Sequence, residues 1–281
     1  MGIAMMTDTT NPTSRARQIR LLCVLPAVIF FATFWLLPVA TLIVLPAEKG
    51  WETYLLVLTN SRYLQSLLNT LWLSLATTLV TLILGAAVGI YLARRRFRGR
   101  QALISLLTAP LAFPGVIVGF FVILIGGRQG TFASLTSSLG MGRMTFAYGV
   151  IGLFLAYLYF SLPRAIASYT AAAEALDPQL EEAARVLGAT RWQITRDAWW
   201  PQLLPTTVAC GAIVFATAMG AFGTAFTLSS QFEVVPITIY TEFTNYANFA
   251  VAASLSIALG LVTWGVLFLA RLLSADANPA Q

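Results

Sequence analysis

The chain has 281 residues, 58% of them hydrophobic and only 10% charged, with a mean hydropathy of +0.78. Soluble domains carry roughly 25% charged residues, so a water-soluble fold is excluded and an integral membrane protein is expected. The formal net charge of +6 includes no histidine and a single lysine, Lys49, which excludes histidine-based triads and His metal pairs outright.

Residues 1–20 are polar and end in Arg15, Arg17 and Arg20, an expected N-terminal tail. The uncharged run Leu21 to Ala47 follows. It is longer than the roughly 7–15 residues of a cleavable signal core, so it is assigned as an uncleaved first membrane helix. Five further uncharged runs are Tyr63–Ala93, Gln101–Gly127, Met144–Pro163, Ala198–Phe232 and Phe243–Ala270. Each reaches the roughly 20 residues needed to cross about 30 Å of hydrocarbon. The fold class expected is all-α, with six transmembrane helices spread over residues 21–273 and a short tail at 274–281.

The loops alternate in charge. The N-terminal tail, the link from Arg94 to Arg100, the segment Arg164 to Asp197 and the C-terminal end together hold 13 basic residues. The other side holds 4, namely Lys49, Arg62, Arg128 and Arg143. By the positive-inside rule both termini are expected in the cytoplasm. The basic link is then a headgroup-facing turn, with no nucleic acid as partner. Pro110 and Pro114, followed by Gly115 and Gly119, predict a broken or kinked third span, which either lines a cavity or only helps packing. Cys23 and Cys210 lie in apolar runs and are read as small hydrophobes, not as a disulfide.

The most ordered polar segment lies at 171–201. Asp177 can cap a helix with Pro178 at its first position. Glu181 and Glu182 favour the first turns, and Gly188 is placed to end the helix in a left-handed conformation. Thr190-Arg191-Trp192-Gln193 forms a capping-box pattern for a second helix, and Pro201 is expected to let the chain turn back towards the bilayer. The apolar stripe of Ala184, Leu187 and Trp192 needs a cover. Physics alone leaves two open, a partner groove or the membrane surface.

Glu182-Ala183-Ala184, three residues, Gly188, then nine residues to Ala198-Trp199-Trp200-Pro201 resembles the EAA signature of the permease subunits of bacterial binding-protein-dependent ABC importers. The Glu, both Ala, Gly and Pro match, whereas Ala198 and Trp200 stand where the family has Ile and Leu. The resemblance spans roughly Gln65 to Leu273. It implies a type I importer membrane domain in the bacterial inner membrane, in which the loop is a coupling helix seated on an ATP-hydrolysing partner. Glu182 would then pair with polar groups of the ATPase, Ala183 and Ala184 would allow close approach, and Gly188 would permit the turn; Arg185 and Leu187 belong to the same surface. The partners implied are two ATPase copies, a second permease subunit taken as a homologous heterodimer partner, a periplasmic binding protein and membrane lipids.

The chain has no ATP site of its own. A P-loop requires a lysine on phosphate oxygens, and Lys49 is in no such motif. No enzyme activity, metal site or cofactor is therefore expected here, with ATP and Mg on the partner ATPase. A self-contained secondary carrier is the competing class, but its proton or ion coupling usually needs ionisable groups inside the membrane, and these spans offer almost none.

The runs Gly220–Phe226 and Tyr240–Phe243 resemble the permeases associated with polyamines, opines and aminoethylphosphonate, and more distantly ferric iron or thiamine. The cargo implied is a polyamine or similar amine-bearing solute. Tyr157, Tyr159, Thr217 and Thr224 are candidate path residues, or simply helix–helix hydrogen bonds. Glu233 and Glu242 lie in a loop region without Lys or Arg; they are assigned to docking of the binding protein, with attraction of a cationic solute as the other reading.

Overall fold

The computed structural model describes residues 24–230 and 232–276. The expected 1–20 tail, Cys23 and the last part of the 274–281 tail lie outside the described residues. Every regular element among the described residues is helical. In chain order they are α1 (Val24–Glu48), α2 (Glu52–Thr59), α3 (Ser61–Arg94), α4 (Arg100–Thr108), α5 (Gly115–Gly126), α6 (Thr131–Ser138) and α7 (Val150–Glu174). Then come α8 (Pro178–Val186), α9 (Arg191–Met219), α10 (Phe222–Leu228), α11 (Val235–Thr244) and α12 (Phe249–Asp276). Among the described residues, six spans are long and apolar enough to cross a membrane: α1, α3, α5 with α6, α7, α9 and α12.

The centre of the bundle is the parallel pair α3 and α7, in which Gly85 meets Ala165 and Gly89 meets Tyr169, with α9 packed against both. Lipid tails are as apolar as leucine, so close van der Waals approach holds such helices together and small residues mark the seams. Here the seam is Gly85-x-x-x-Gly89. A Cβ at Gly85 would sit 2.6 Å from the Ala165 Cβ, and one at Gly89 would sit 2.7 Å from the Tyr169 Cβ. Thr170 Oγ1 donates across the seam to the Gly89 carbonyl at 3.3 Å. One apolar core joins Leu73, Val118, Leu153, Ala156, Tyr157, Ala218 and Leu228. Helix α1 has no buried residue in its most apolar window; its second half leans on α12.

The third stretch is broken where the prolines predict. A 3-10 turn at Ala109–Ala112 ends α4, Phe113 is extended (φ −96°, ψ 131°) and Pro114 leads into α5. Proline pushes its predecessor out of the helical region, and Phe113 obeys.

Two sequence expectations change. The fourth span does not stop at Pro163: α7 continues to Glu174 with Pro163 inside it. Arg164 is thus a helix residue and not a loop residue, which removes one arginine from the cationic tally of the 164–197 segment. Pro201 does not turn the chain either. Helix α9 is continuous from Arg191 to Met219, because Ile194–Trp199 form a π-type stretch in which the Trp200 N–H reaches Thr195 O. The missing amide of Pro201 falls where the ladder changes register. The long run to Phe232 holds one span, in keeping with the count of six: α9 ends at Met219, the chain breaks at Gly220 and Ala221, and α10 is a separate short helix packed on α5.

Candidate functional site

The insert at one end of the bundle is built by its caps. The Asp177 side chain accepts from Gln179 N at 2.9 Å, and Pro178 opens α8. The helix closes with Gly188 N–H to Arg185 O (3.0 Å) and Ala189 N–H to Ala184 O (3.0 Å), which requires φ of +80° at Gly188. Such a left-handed residue is nearly free for glycine and strained for others. The expected capping box is present: Thr190 N–H donates to Gln193 Oε1 at 2.7 Å, and Gln193 N–H to Thr190 Oγ1 at 3.4 Å. So α8 and α9 meet at a fixed elbow.

The elbow separates its two glutamates. Glu181 turns inward, with Oε2 3.2 Å from Arg94 Nη1 at the end of α3 and Oε1 2.5 Å from Arg185 Nη2. The Arg94 guanidinium also lies 4.4 Å from the centroid of the Trp199 ring on α9. Three helix ends, α3, α8 and α9, are joined in one ionic and aromatic cluster bordering a cleft of about 530 Å³ that Arg95 and Arg191 also line. Arg100 Nη2 bonds Glu174, and its Nε donates to Leu92 O at 2.7 Å, tying α4 to α7 and α3. Glu182, by contrast, is exposed and enters no ion pair among the described residues.

Beside Glu182 the elbow carries bare apolar surface. Val186 is 87% exposed, Leu187 86% and Trp192 71%, while Ala183 is exposed and Ala184 half-buried. Fully burying a Val or Leu side chain is worth about 1.5–3 kcal/mol, so these residues form a small, strongly apolar exposed edge. Of the residues assigned to it by sequence, Glu182, Ala183, Ala184, Leu187 and Gly188 belong to this edge. Arg185 is half turned to Glu181, and Pro201 lies within α9.

At the opposite end, Glu233 and Glu242 are not free acids. Arg62 binds Glu233 through Nε (3.0 and 3.3 Å) and Nη2 (3.1 Å), and its Nη1 lies 3.5 Å from Glu242. Glu242 is 3% exposed and faces the bundle. The docking assignment of Glu242 is corrected on that ground: a buried carboxylate held by Arg62 presents no surface. Glu233 remains half-exposed at the rim.

The four candidate path residues do not converge. Tyr157 is buried and its hydroxyl donates to Ala221 O (3.1 Å), pinning the break between α9 and α10. Thr224 is buried, with the backbone of Gly115 against it. Tyr159 faces outward at 41% exposure. Thr217 alone has a charged partner, Arg164 Nη1, at 3.2 Å. Sequence reasoning missed Arg164, Arg94 and the Gly85/Gly89 seam. The small-x-x-x-small spacing was visible as a signal for the seam; Arg94 could not be told from its four arginine neighbours.

Residues 85–277 match the model of a family described as "Binding-protein-dependent transport system inner membrane component". The chain is 27% identical to the sulfate transport system permease protein CysT of Escherichia coli (strain K12), over 83% of this chain and 84% of that one. It is 32% identical to the molybdenum transport system permease protein ModB of the same strain (74% and 93%), and 29% identical to its thiamine transport system permease protein ThiP (74% and 39%). Among solved structures it resembles a bacterial ABC transporter involved in the import of the acidic polysaccharide alginate. That likeness has a TM-score of 0.82 at 21% identity, covering 93% of this chain and 96% of that chain.

Proposed function

From a chain that belongs to the family of binding-protein-dependent transport system inner membrane components, and so is a multi-pass permease subunit of an ABC importer, we propose the following working mechanism. The α8–α9 elbow is a coupling element that lies in the cytoplasm and seats Val186, Leu187 and Trp192 in a groove on a separate ATPase subunit. Glu182 meets polar groups of that partner. ATP and Mg bind there, two ATPase copies close, and the elbow carries the displacement to α3 through Glu181–Arg94 and to the bundle through the unbroken α9. The exposed apolar residues flanking the left-handed Gly188, outside an otherwise lipid-like bundle, carry this reading. A helix with such a face gains most from a partner groove.

A single six-helix bundle leaves α1 and much of α12 uncovered, consistent with half of a pathway completed by a second permease, which we take to be a homologous heterodimer partner. A periplasmic binding protein would dock near Glu233 and deliver the solute. The polyamine expected from sequence finds no counterpart in the relatives described above, whose names give sulfate, molybdenum and thiamine; thiamine is among the alternatives the sequence resemblance implied. The cargo is therefore best taken as a small charged solute. The test is reconstitution: purified alone in liposomes, the chain accumulates nothing, whereas with its ATPase, second permease and binding protein it accumulates solute on ATP addition. Ion-gradient-driven accumulation by the chain alone would overturn the proposal.

A further inference from the structure

Arg164 is the one formally charged side chain among the described residues that stands well inside a membrane-crossing helix. Helix α7 runs Val150–Glu174, which puts Arg164 about 15 Å along the axis from the Glu174 end at 1.5 Å per residue. The helix has 25 residues and the hydrocarbon is about 30 Å thick, so Arg164 stands in the interior of the span and not at either end. The packing agrees: the next residue, Ala165, meets Gly85 on α3 and Cys210 on α9, both internal to their helices. An arginine at this depth is costly and, where retained, faces a bundle interior or a water-filled cavity and marks a pathway.

What Arg164 touches decides its role. Nη1 donates to Thr217 Oγ1 at 3.2 Å. Thr217 is itself already turned to the Ile213 carbonyl at 2.7 Å. No carboxylate lies within ion-pair distance of Arg164 among the described residues. Its Nε and Nη2 have no protein acceptor there and are not sealed in the core, since they are absent from the buried unsatisfied groups. The side chain is half-buried, and Ile213, Thr217 and Gly220 continue the open face of α9 towards the break at Gly220–Ala221. A planar fork of unused N–H donors held in low dielectric is suited to a carboxylate, sulfate-like or phosphate-like group, and it repels an ammonium.

We infer that Arg164, positioned by Thr217 beside the α9–α10 break, is an anion-contacting residue of the translocation path, and that the cargo carries an oxyanion and not only cationic amines. This rests on the importer-permease reading. It replaces four scattered path candidates with one pair, Arg164 and Thr217.

The test uses the reconstituted importer with all its subunits. In a Cys23→Ala, Cys210→Ala background, Gly220→Cys places a thiol one turn from Thr217; a Cβ there meets nothing closer than Ala216 O at 3.7 Å. Its rate of reaction with an anionic methanethiosulfonate (the ethylsulfonate) is compared with that of the trimethylammonium reagent. The anionic reagent is expected to react at least fivefold faster, relative to the free thiol in solution, and Arg164→Gln is expected to erase that preference. In parallel, calorimetry of the cognate binding protein with sulfate, phosphate, thiamine and spermidine identifies the delivered solute. Arg164→Gln is expected to cut ATP-driven uptake of an anionic solute at least tenfold, and Arg164→Lys to keep part of it, while subunit co-purification stays intact. Equal reagent rates, or ATP-driven uptake of spermidine untouched by Arg164→Gln, overturn the inference but leave the permease reading standing. Loss of assembly in Arg164→Gln with no change in reagent preference assigns the arginine to a carboxylate of the second permease, and likewise overturns it. Uptake needing no ATPase partner refutes the permease reading itself.

Discussion

Replacing Glu181 by Gln separates an internal strut from an external contact. Glu181 is the only acceptor for Arg94 Nη1 among the described residues, and Arg94 Nε and Nη2 are already buried without partners. The side chains are 15% and 29% exposed, between the surface limit of about 0–1 kcal/mol for an ion pair and the 3–5 kcal/mol for breaking a buried one. The half-exposed Arg185 pair adds about 0.3–0.5 kcal/mol as an i,i+4 contact. A loss of about 2 kcal/mol follows. At about 2–4 °C per kcal/mol for chains of this size, the detergent-solubilised protein should unfold about 4–8 °C lower in a fluorimetric melt. Glu182→Gln, at an exposed residue with no ion pair or side-chain hydrogen bond among the described residues, should leave the melt unchanged and instead weaken capture of the ATPase. A double-mutant cycle of Glu181→Gln with Arg94→Gln should show a coupling of about 1–2 kcal/mol. An unshifted melt for Glu181→Gln, or a large shift for Glu182→Gln, would refute the division of labour between the two glutamates.

Gly188→Val forces a β-branched residue to φ +80°, a conformation costing about 1–2 kcal/mol or more for non-glycine residues; membrane insertion should persist while ATPase co-purification falls at least tenfold, and wild-type capture would remove the coupling role. Gly89→Leu begins with a Cβ 2.7 Å from the Tyr169 Cβ and 2.9 Å from Ile166 O, against about 3.5–4.0 Å for comfortable carbon contact. Overpacking of about 1–3 kcal/mol should appear as aggregation in size-exclusion chromatography, with Gly89→Ala intermediate; a monodisperse leucine variant would show the seam is not close-packed. Tyr157→Phe loses one hydrogen bond to Ala221 O, about 1 kcal/mol, so the melt should drop about 2–4 °C while the relative uptake of competing solutes stays unchanged. A changed solute preference would return Tyr157 to the path.

The class, the number of spans, the break near Pro114 and the caps of the elbow were all legible in the amino-acid sequence. Each follows from local rules: hydrocarbon thickness sets span length, proline removes an amide and displaces its predecessor, and Asp177, Gly188 and Thr190 satisfy or end a helix within a few residues of themselves. Where local rules met a neighbour, they failed. Helix α7 crosses Pro163 and carries Arg164 inward because α3 and α9 pack around it, and α9 crosses Pro201 on a π-type turn where the sequence predicts a bend. It took the packed bundle to turn Glu181 towards Arg94 and Glu182 outward, to bury Glu242 beneath Arg62, and to bring Arg164 to Thr217. These pairs join residues 53 to 180 positions apart, and the direction of a side chain across such a gap is set by helix packing, which no local pattern encodes.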